Sequence, residues 1–404
     1  MIRLAGATIV QPHGILEPGT LTIEGDRITD ITAGDADGDA RNLRRHFIVP
    51  GFIDVHVHGV RGIDVLGGVD AIARMARLLP QYGVTSFCPT SIACPPEDLR
   101  SMLSAVRAVR RQREEKSARV LPAHLESNFI SAAFKGAQPE SCIRAPRQQV
   151  DGDFSGPDVL AEIARAREDV GIVTVAPEIE GVLDLIPVLV SDGHRVSLGH
   201  SGATYEQALA GIAAGARHAT HLFNRMSAFT HRAPGLTGAI LESGQVAAEL
   251  ICDGVHVHPA AVRAAVAAKG CGRVMAITDG TAGSGLQPGT RARFGGRSIT
   301  VGDASYLDDG TLAGSVLTMD RAFSSLVTSM RFKLADAARM CSTTPASELG
   351  LIGYGALVPG GSADLVVLDY DFRVIETYIA GVLVYDRDAG KAGTALQPGP
   401  SMDV

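Results

Sequence analysis

Between residues 52 and 278 the chain alternates eight times between short apolar segments and longer stretches rich in alanine and arginine. The short segments have the length of buried strands, and the longer ones have the period of helices. Eight such strand–helix units predict an α/β fold, a (β/α)8 TIM-type barrel. The predicted barrel strands are residues 52–57, 85–89, 120–125, 172–176, 195–198, 218–222, 247–251 and 274–278.

The two ends of the chain have a different pattern. Residues 1–48 contain short β-type segments, and Gly25-Asp26 has the sequence of a two-residue hairpin turn. Similar segments return near the other end, after residue 362. We therefore predict that residues 1–48 and 354–404 form one small, discontinuous β-sandwich domain and that residues 49–353 form the barrel.

Composition limits the class of protein. The chain has 404 residues, of which 46% are hydrophobic and 20% charged, enough for a core of barrel size. A formal net charge of -7 without a basic run argues against nucleic-acid binding. We expect no membrane partner, because neither a signal sequence nor an apolar run of membrane-spanning length is present. The six cysteines show no paired spacing, which is typical of a reduced cytoplasmic protein.

Six polar side chains fall at or just after the C-terminal ends of predicted strands, where barrel enzymes assemble their active sites. Alternate residues of a strand face the same side, so the two histidines of the first strand are expected to point together. Four histidines and two acids suit Zn²⁺, Fe²⁺, Mn²⁺ or Co²⁺, although each residue alone also fits a structural role. The six residues are His56, His58, Glu126, His200, His221 and Asp279.

Several motifs carry a resemblance to the amidohydrolase superfamily and, within it, to the N-acetylglucosamine-6-phosphate deacetylases. The likeness covers nearly the whole chain, including both terminal β segments. The motifs are Pro50-Gly-Phe-Ile-Asp-Val-His-Val-His-Gly59, Gly199-His-Ser-Gly-Ala-Thr-Tyr205, His221-Leu-Phe-Asn-Arg-Met226, Pro234-Gly-Leu-Thr-Gly238, Asp253-Gly-Val-His256 and Ile277-Thr-Asp-Gly280.

The resemblance implies a metal-dependent hydrolase acting on the acetamide of an amino sugar, in a homodimer. It implies one ion held by Glu126, His200 and His221, as in members of the family with a single ion. His56 and His58 would add a second ion, with Glu126 bridging; the sequence permits one or two ions. Asp279 is predicted to take a proton from the attacking water and return it to the departing amine.

The resemblance also implies a set of substrate contacts. It assigns phosphate recognition to Arg232 and His256, and sugar contacts to Asn224 and the backbone at Arg225. The planar donors of Arg232 match phosphate oxygens, although a solvated loop arginine fits the sequence equally well. His256 and His258 are not predicted to bind a metal, because His258 has the position of a helix-start residue before a proline.

Two departures from the family pattern lie close to Glu126. Ser127-Asn128 stands where relatives usually have Gly-Pro, and Gln138 stands where they usually have a histidine. In the family that histidine helps to polarise the amide carbonyl. Gln138 is therefore predicted to line the substrate site and either to weaken that assistance or to serve a different acyl group.

Other members of the superfamily are less compatible with the sequence. Cyclic amidases similar to dihydroorotase have a carboxylated lysine on the fourth strand, where this chain reads Thr174-Val-Ala-Pro-Glu178. Nucleobase deaminases pair a glutamate with the fifth-strand histidine, and Gly199-His-Ser-Gly202 lacks it. Two alternatives stay open: a deacetylase of an unphosphorylated or nucleotide-linked amino sugar, and a metal-free scaffold protein.

Overall fold

The computed structural model describes residues 1–35 and 38–389, so the last part of the predicted terminal domain, residues 390–404, lies outside the described residues. The described chain begins and ends with strands. These are β1 (Ile2–Gln11), β2 (Gly14–Glu24), β3 (Arg27–Ala33), β4 (Arg41–Asn42) and β5 (Phe47–Pro50), and at the other end β20 (Leu365–Leu368), β21 (Val374–Ile379) and β22 (Val382–Asp386).

The central part contains the barrel elements. They are β6 (Phe52–Val57), β7 (Gly59–Val60), β8 (Ile63–Asp64), α1 (Val69–Leu78), β9 (Val84–Ser91), α2 (Pro96–Arg111), β10 (Arg119–Val120), β11 (Ala123–Glu126), α3 (Gly156–Arg165), β12 (Val170–Val175), α4 (Val182–Ser191), β13 (Arg195–Leu198), α5 (Tyr205–Ala214), β14 (His218–Ala219), α6 (Gly235–Glu242), β15 (Ala247–Ile251), α7 (Pro259–Lys269) and β16 (Val274–Ile277). They are followed by β17 (Arg291–Phe294), β18 (Arg297–Val301), β19 (Ser305–Leu307), α8 (Met319–Thr328), α9 (Leu334–Ala338) and α10 (Thr344–Leu349).

Strands from both ends of the chain form one sheet, which confirms the predicted joint β domain. Its hydrogen-bonded order is β22-β21-β20-β5-β1-β2-β3, with β4 also paired to β1. Gly25-Asp26 joins β2 to β3 through the pair Glu24 and Arg27, as the hairpin signal predicted. The sheet has its own apolar cluster, which includes Leu4, Ile48 and Leu365. The exact limits of the domain stay a prediction.

The parallel strands of the central part form the predicted barrel. Its eight strands are β6, β9, β11, β12, β13, β14, β15 and β16. Each of them pairs in parallel with the next strand of this series. Between the first and last barrel strands, the backbone N–H of Asp279, just after β16, donates to the carbonyl oxygen of His56 on β6 at 2.9 Å. This contact nearly closes the sheet and brings the two ends of the barrel sequence side by side.

Two predicted strands differ from the observed ones by more than one or two residues at their ends. The segment predicted at 120–125 is divided into β10 and β11, with Pro122 between them, because proline cannot donate a hydrogen bond to the ladder. The sixth strand ends at Ala219 rather than at 222, because the chain turns before His221, whose φ is 31°.

A small antiparallel sheet, β17–β19, was not predicted and lies beside the barrel mouth. Phe294 at the end of β17 packs edge-on against the His58 ring, with the ring centroids 5.1 Å apart. The turn that follows is attached to the barrel, since the N–H of Gly295 donates to Asp64 Oδ2 at 2.8 Å. Phe294 and Ile299 belong to a separate apolar cluster above the barrel core. This sheet covers one side of the mouth.

The loop that carries His200 is held by a well-capped helix. At the start of α5, the N–H of Gln207 donates to the Thr204 hydroxyl at 3.2 Å, while the Gln207 side chain accepts from the N–H of Thr204 at 2.9 Å. This reciprocal capping box fixes where the helix begins.

Of the helices described, none combines the length and apolar character needed to span a bilayer.

Candidate metal centre

His56 and His58 project together from β6, as the alternation of the strand predicted. Both side chains are buried, and their Nε2 atoms lie 3.2 Å apart. Nδ1 of His58 lies 2.9 Å from the carbonyl oxygen of Thr90. Because a ring nitrogen that bonds to a carbonyl must carry the proton, neutral His58 presents the lone pair of Nε2 to the site.

Glu126, His200 and His221 form a second group beside the first. Glu126 Oε1 lies 2.7 Å from Nε2 of His200 and 2.8 Å from Nε2 of His221. The two Nε2 atoms are 3.0 Å apart. Nδ1 of His200 lies 2.8 Å from the carbonyl oxygen of Phe134, so neutral His200 also directs a lone pair inward.

Two carboxylates connect the groups. Asp279 Oδ1 lies 3.2 Å from Nε2 of His58 and 3.4 Å from Nε2 of His56. Glu126 Oε2 lies 3.6 Å from Nε2 of His58, so this carboxylate faces both histidine groups. The structure therefore brings all six residues singled out in the sequence into one buried cluster.

The chemistry of this donor set fits one or two divalent cations. The histidine lone pairs and the carboxylate oxygens all carry negative partial charge, and they face one another. Such an arrangement needs a proton or a cation between these atoms. Burial alone lowers the pKa of His56, but its hydrogen bond to Glu249 and the charge of Asp279 raise this pKa to about 10. The cluster thus favours positive charge strongly. Within the described residues, two of the groups able to hold an ion are Glu126 with His200 and His221, and Glu126 with His56 and His58.

Three of the six residues have a left-handed backbone. The φ angles are 47° at His200, 31° at His221 and 48° at Asp279. Residues other than glycine rarely adopt this conformation, which costs about 1–3 kcal/mol at each position. Backbone strain of this kind is concentrated at functional sites, so it marks this end of the barrel independently of residue type.

A narrow cavity opens on the cluster and includes Gln138. The N–H of Ala93 donates to Gln138 Oε1 at 2.8 Å, which directs the amide NH2 of Gln138 toward Glu126 Oε2, its acceptor. A larger cavity of about 710 Å³ lies between α2 and α3, on the outside of the barrel, and contains none of the six residues. The lining of the narrow cavity is Glu126, Ala137, Gln138, His200, His221, Asn224, Arg225, His256, Asp279, Phe294, Leu312 and Gly314.

Comparison with known families gives a match over most of the chain. The model of the amidohydrolase family matches residues 47–384. The chain belongs to the amidohydrolase family. It is 36% identical over 387 residues to the N-acetylglucosamine-6-phosphate deacetylase of Rattus norvegicus, covering 93% of this chain and 90% of that protein. It is 35% identical over 339 residues to the N-acetylgalactosamine-6-phosphate deacetylase of Escherichia coli O157:H7, covering 83% of this chain and 87% of that protein.

Solved structures agree with this membership. The N-acetyl-D-glucosamine-6-phosphate deacetylase from Mycobacterium smegmatis superposes with a TM-score of 0.87 and 33% identity, covering 95% of this chain and all of the other. Amidohydrolases are metal-dependent enzymes, which agrees with the donor set described above.

The predicted substrate residues divide into two sets in this amidohydrolase. Asn224, Arg225 and His256 line the cavity. Nδ1 of His256 lies 2.6 Å from Asp253 Oδ2, which holds the imidazole in place. Arg232 lies on an exposed loop and does not line this cavity. His258 is exposed and is the N-cap residue of α7, where its ring accepts from the N–H of Ala260, as its position before a proline predicted.

Sequence reasoning missed Glu249, a fully buried acid on β15. Its Oε2 lies 2.9 Å from Nδ1 of His56. A signal was present in the sequence, since Glu249 interrupts the otherwise apolar strand Ala247–Ile251. Buried glutamates almost always have a partner, and here the partner is one of the candidate metal ligands.

Proposed function

We propose that this amidohydrolase hydrolyses the acetamide of N-acetylglucosamine 6-phosphate, giving glucosamine 6-phosphate and acetate. The observation that carries the proposal is the buried cluster of four histidines and two acids at the strand ends of the barrel. Its support comes from relatives named for this substrate, which are similar to the chain over most of its length.

The metal centre of the proposed enzyme uses the two histidine groups. Glu126, His200 and His221 would hold one ion, and His56 and His58 would hold a second with Asp279 close by. When bound, a divalent ion such as zinc would lower the pKa of a coordinated water to roughly 7 and polarise the amide carbonyl. Fe²⁺, Mn²⁺ and Co²⁺ suit the same donors.

The proton steps fall to Asp279. Burial would raise the pKa of its carboxyl, but the hydrogen bond to His58 and the neighbouring His56 keep this pKa below its usual value. Asp279 is therefore ionised at neutral pH and can accept a proton from the attacking water. As the C–N bond breaks, its electron pair leaves with the sugar nitrogen, and Asp279 returns the proton to that nitrogen.

The remaining predicted residues contact the substrate. We assign Asn224 and the backbone at Arg225 to the sugar, His256 and Arg232 to the phosphate, and Gln138 to the region around the acyl group. The proposed protein is a cytoplasmic homodimer that binds neither nucleic acid nor membrane, with residues 1–48 and 354–404 as its small domain. All six cysteines are free thiols, which supports a reducing compartment.

A second candidate is a deacetylase of another amino sugar. Two observations favour considering it: the similarity to an N-acetylgalactosamine-6-phosphate deacetylase, and Gln138 in direct contact with Glu126 beside the acyl region. Under this reading the chemistry is the same, and the sugar or the acyl group differs.

The deciding experiment measures amine release from N-acetylglucosamine and N-acetylgalactosamine, each with and without the 6-phosphate, and from a nucleotide-linked N-acetyl sugar. We expect kcat/KM to be 10- to 100-fold higher with the phosphate, since losing a charge-assisted contact costs about 1.5–3 kcal/mol. Arg232→Ala should reduce this preference. Arg263→Ala, which removes an exposed arginine of α7, is the matched control.

Each outcome has a clear meaning. Equal hydrolysis of phosphorylated and free sugars would contradict the phosphate role of Arg232 and favour a deacetylase of an unphosphorylated or nucleotide-linked amino sugar. Absence of amine release from every sugar, in protein with its full metal content, would contradict both candidates.

A further inference from the structure

Glu249 occupies an unusual position inside the barrel. Its side chain is fully buried on β15 and is not part of the cavity lining, so it does not meet substrate directly. Its Oε2 lies 2.9 Å from Nδ1 of His56 and 3.4 Å from the N–H of His221. The short contact with His56 is the strongest link between Glu249 and the site.

This contact determines the orientation and tautomer of the His56 ring. With Nδ1 donating to Glu249, the other ring nitrogen, Nε2, is directed at Nε2 of His58 and at Asp279. The other histidines are oriented differently, because Nδ1 of His58 and Nδ1 of His200 each donate to a backbone carbonyl. A charged partner on a ligand histidine fixes its tautomer and raises its basicity more than a carbonyl does.

We propose that Glu249 is a positioning residue that fixes His56 for the second ion, so that the protein binds two ions rather than one. The inference rests on the proposed function only in taking the clustered histidines as metal ligands. The ion at Glu126, His200 and His221 depends little on Glu249, because among the described residues the Glu249 side chain reaches this group through the long contact to the N–H of His221.

The test compares metal stoichiometry in the wild-type full-length protein with that in Glu249→Gln and Glu249→Leu. Each protein is stripped of metal and titrated with Co²⁺, with bound metal measured by mass spectrometry and each equivalent followed by its visible absorption. We expect two equivalents in the wild type. Glu249→Gln, which keeps the volume and a hydrogen-bond acceptor, should bind the second equivalent 10- to 100-fold more weakly, and Glu249→Leu should bind one.

A matched control removes another buried acid far from the site. Glu376 is fully buried in the terminal sheet, where its Oε2 accepts from the Tyr378 hydroxyl at 3.0 Å. Glu376→Gln should keep both equivalents with unchanged affinity. Melting temperatures of all variants show whether each is folded, and Glu249→Gln keeps the test informative if the leucine variant does not fold.

Three results would overturn the inference: a single equivalent in the wild type, two equivalents of unchanged affinity in Glu249→Gln, or equal weakening of both equivalents. Amine release is assayed separately on the same samples. Loss of only the second equivalent in the Glu249 variants would support the inference even if no sugar were hydrolysed. Absence of hydrolysis would contradict only the proposed function.

Discussion

Asp279 shows how a single residue depends on the barrel around it. Its φ of 48° turns the carboxylate toward His56 and His58, while its backbone N–H is held by the carbonyl of His56 at 2.9 Å. The side chain is buried, and the neighbouring histidines keep its pKa below the usual value. A buried, ionised carboxylate at the cavity suits a group that accepts and returns a proton.

We predict that Asp279→Asn reduces kcat by at least about 100-fold, the lower range for loss of a general acid–base group, because an amide has no proton-accepting oxygen of comparable basicity. The substitution conserves shape, so the melting temperature should change little. The measurement is kcat as a function of pH for the variant and the wild type. A near-normal kcat with an unchanged pH profile would assign the proton steps to another group.

Gln138 offers a second prediction at this scale. Its Oε1 accepts from the N–H of Ala93, and its NH2 group donates to Glu126. Gln138→Glu keeps the acceptor for Ala93 but places a second carboxylate against Glu126. Loss of a hydrogen bond to a charged group costs about 1.5–3 kcal/mol, so we expect kcat/KM to fall about 10- to 100-fold. Gln148→Glu, on the loop before α3, is the control; equal effects of the two substitutions would contradict the role given to Gln138.

At the scale of elements, ion pairs tie the outer helices together. Arg100 on α2 donates to both carboxylate oxygens of Glu162 on α3, at 3.0 and 2.7 Å, and Arg165 also donates to Glu162. The Glu162 side chain is only 4% exposed, whereas that of Arg100 is 56% exposed. These contacts lower the pKa of Glu162 below its ordinary value of 4.5, with the Arg100 hydrogen bond as the largest cause.

Stability should therefore depend on pH through Glu162. Because the pKa of Glu162 is lower in the folded state, its stabilisation is present above about pH 4.5 and is lost as the pH falls through the folded value. We predict that Glu162→Gln lowers the melting temperature at pH 7 by about 1 °C, since partly exposed pairs contribute up to about 1 kcal/mol. The difference from wild type should shrink as the pH falls through the lowered pKa of Glu162. Glu180→Gln, an exposed glutamate, is the control, and a difference that persists at low pH would contradict the ion-pair explanation.

At the scale of the whole molecule, the candidate metal centre joins distant parts of the chain. Its six donors come from β6 and β11 and from the loops after β13, β14 and β16, so they span more than 220 residues of sequence. An ion bound only by the folded state stabilises that state by mass action, by about 4 kcal/mol at a concentration one thousand times its Kd. Metal binding and global stability are thus expected to be linked.

We predict that dialysis against a chelator abolishes amine release and lowers the melting temperature by several degrees. Addition of Zn²⁺, Mn²⁺ or Co²⁺ should restore both properties, whereas Ca²⁺, which prefers oxygen ligands, should not. His13→Ala, an exposed histidine between β1 and β2, should respond as the wild type does, whereas His200→Ala should not regain metal. A chelated protein with unchanged melting temperature and no recoverable activity would favour the metal-free scaffold.

The sequence by itself determined the barrel strands, the terminal β segments and their order, because strand and helix periods are local properties of the chain. The apolar runs located the eight barrel strands, and the alternation of β6 placed His56 and His58 on one face. The resemblance of the motifs indicated the amidohydrolase family, which the comparisons confirmed.

Only the tertiary structure decided which side chains touch. Closure of the barrel places Glu249 of β15 behind His56 of β6, and packing of the loop after β11 places Gln138 on Glu126. The left-handed backbone of Asp279 depends on the same closure. These contacts join segments that are far apart in the sequence, so no local pattern could predict them. The distance between such segments is set by closure of the whole sheet and not by either segment alone.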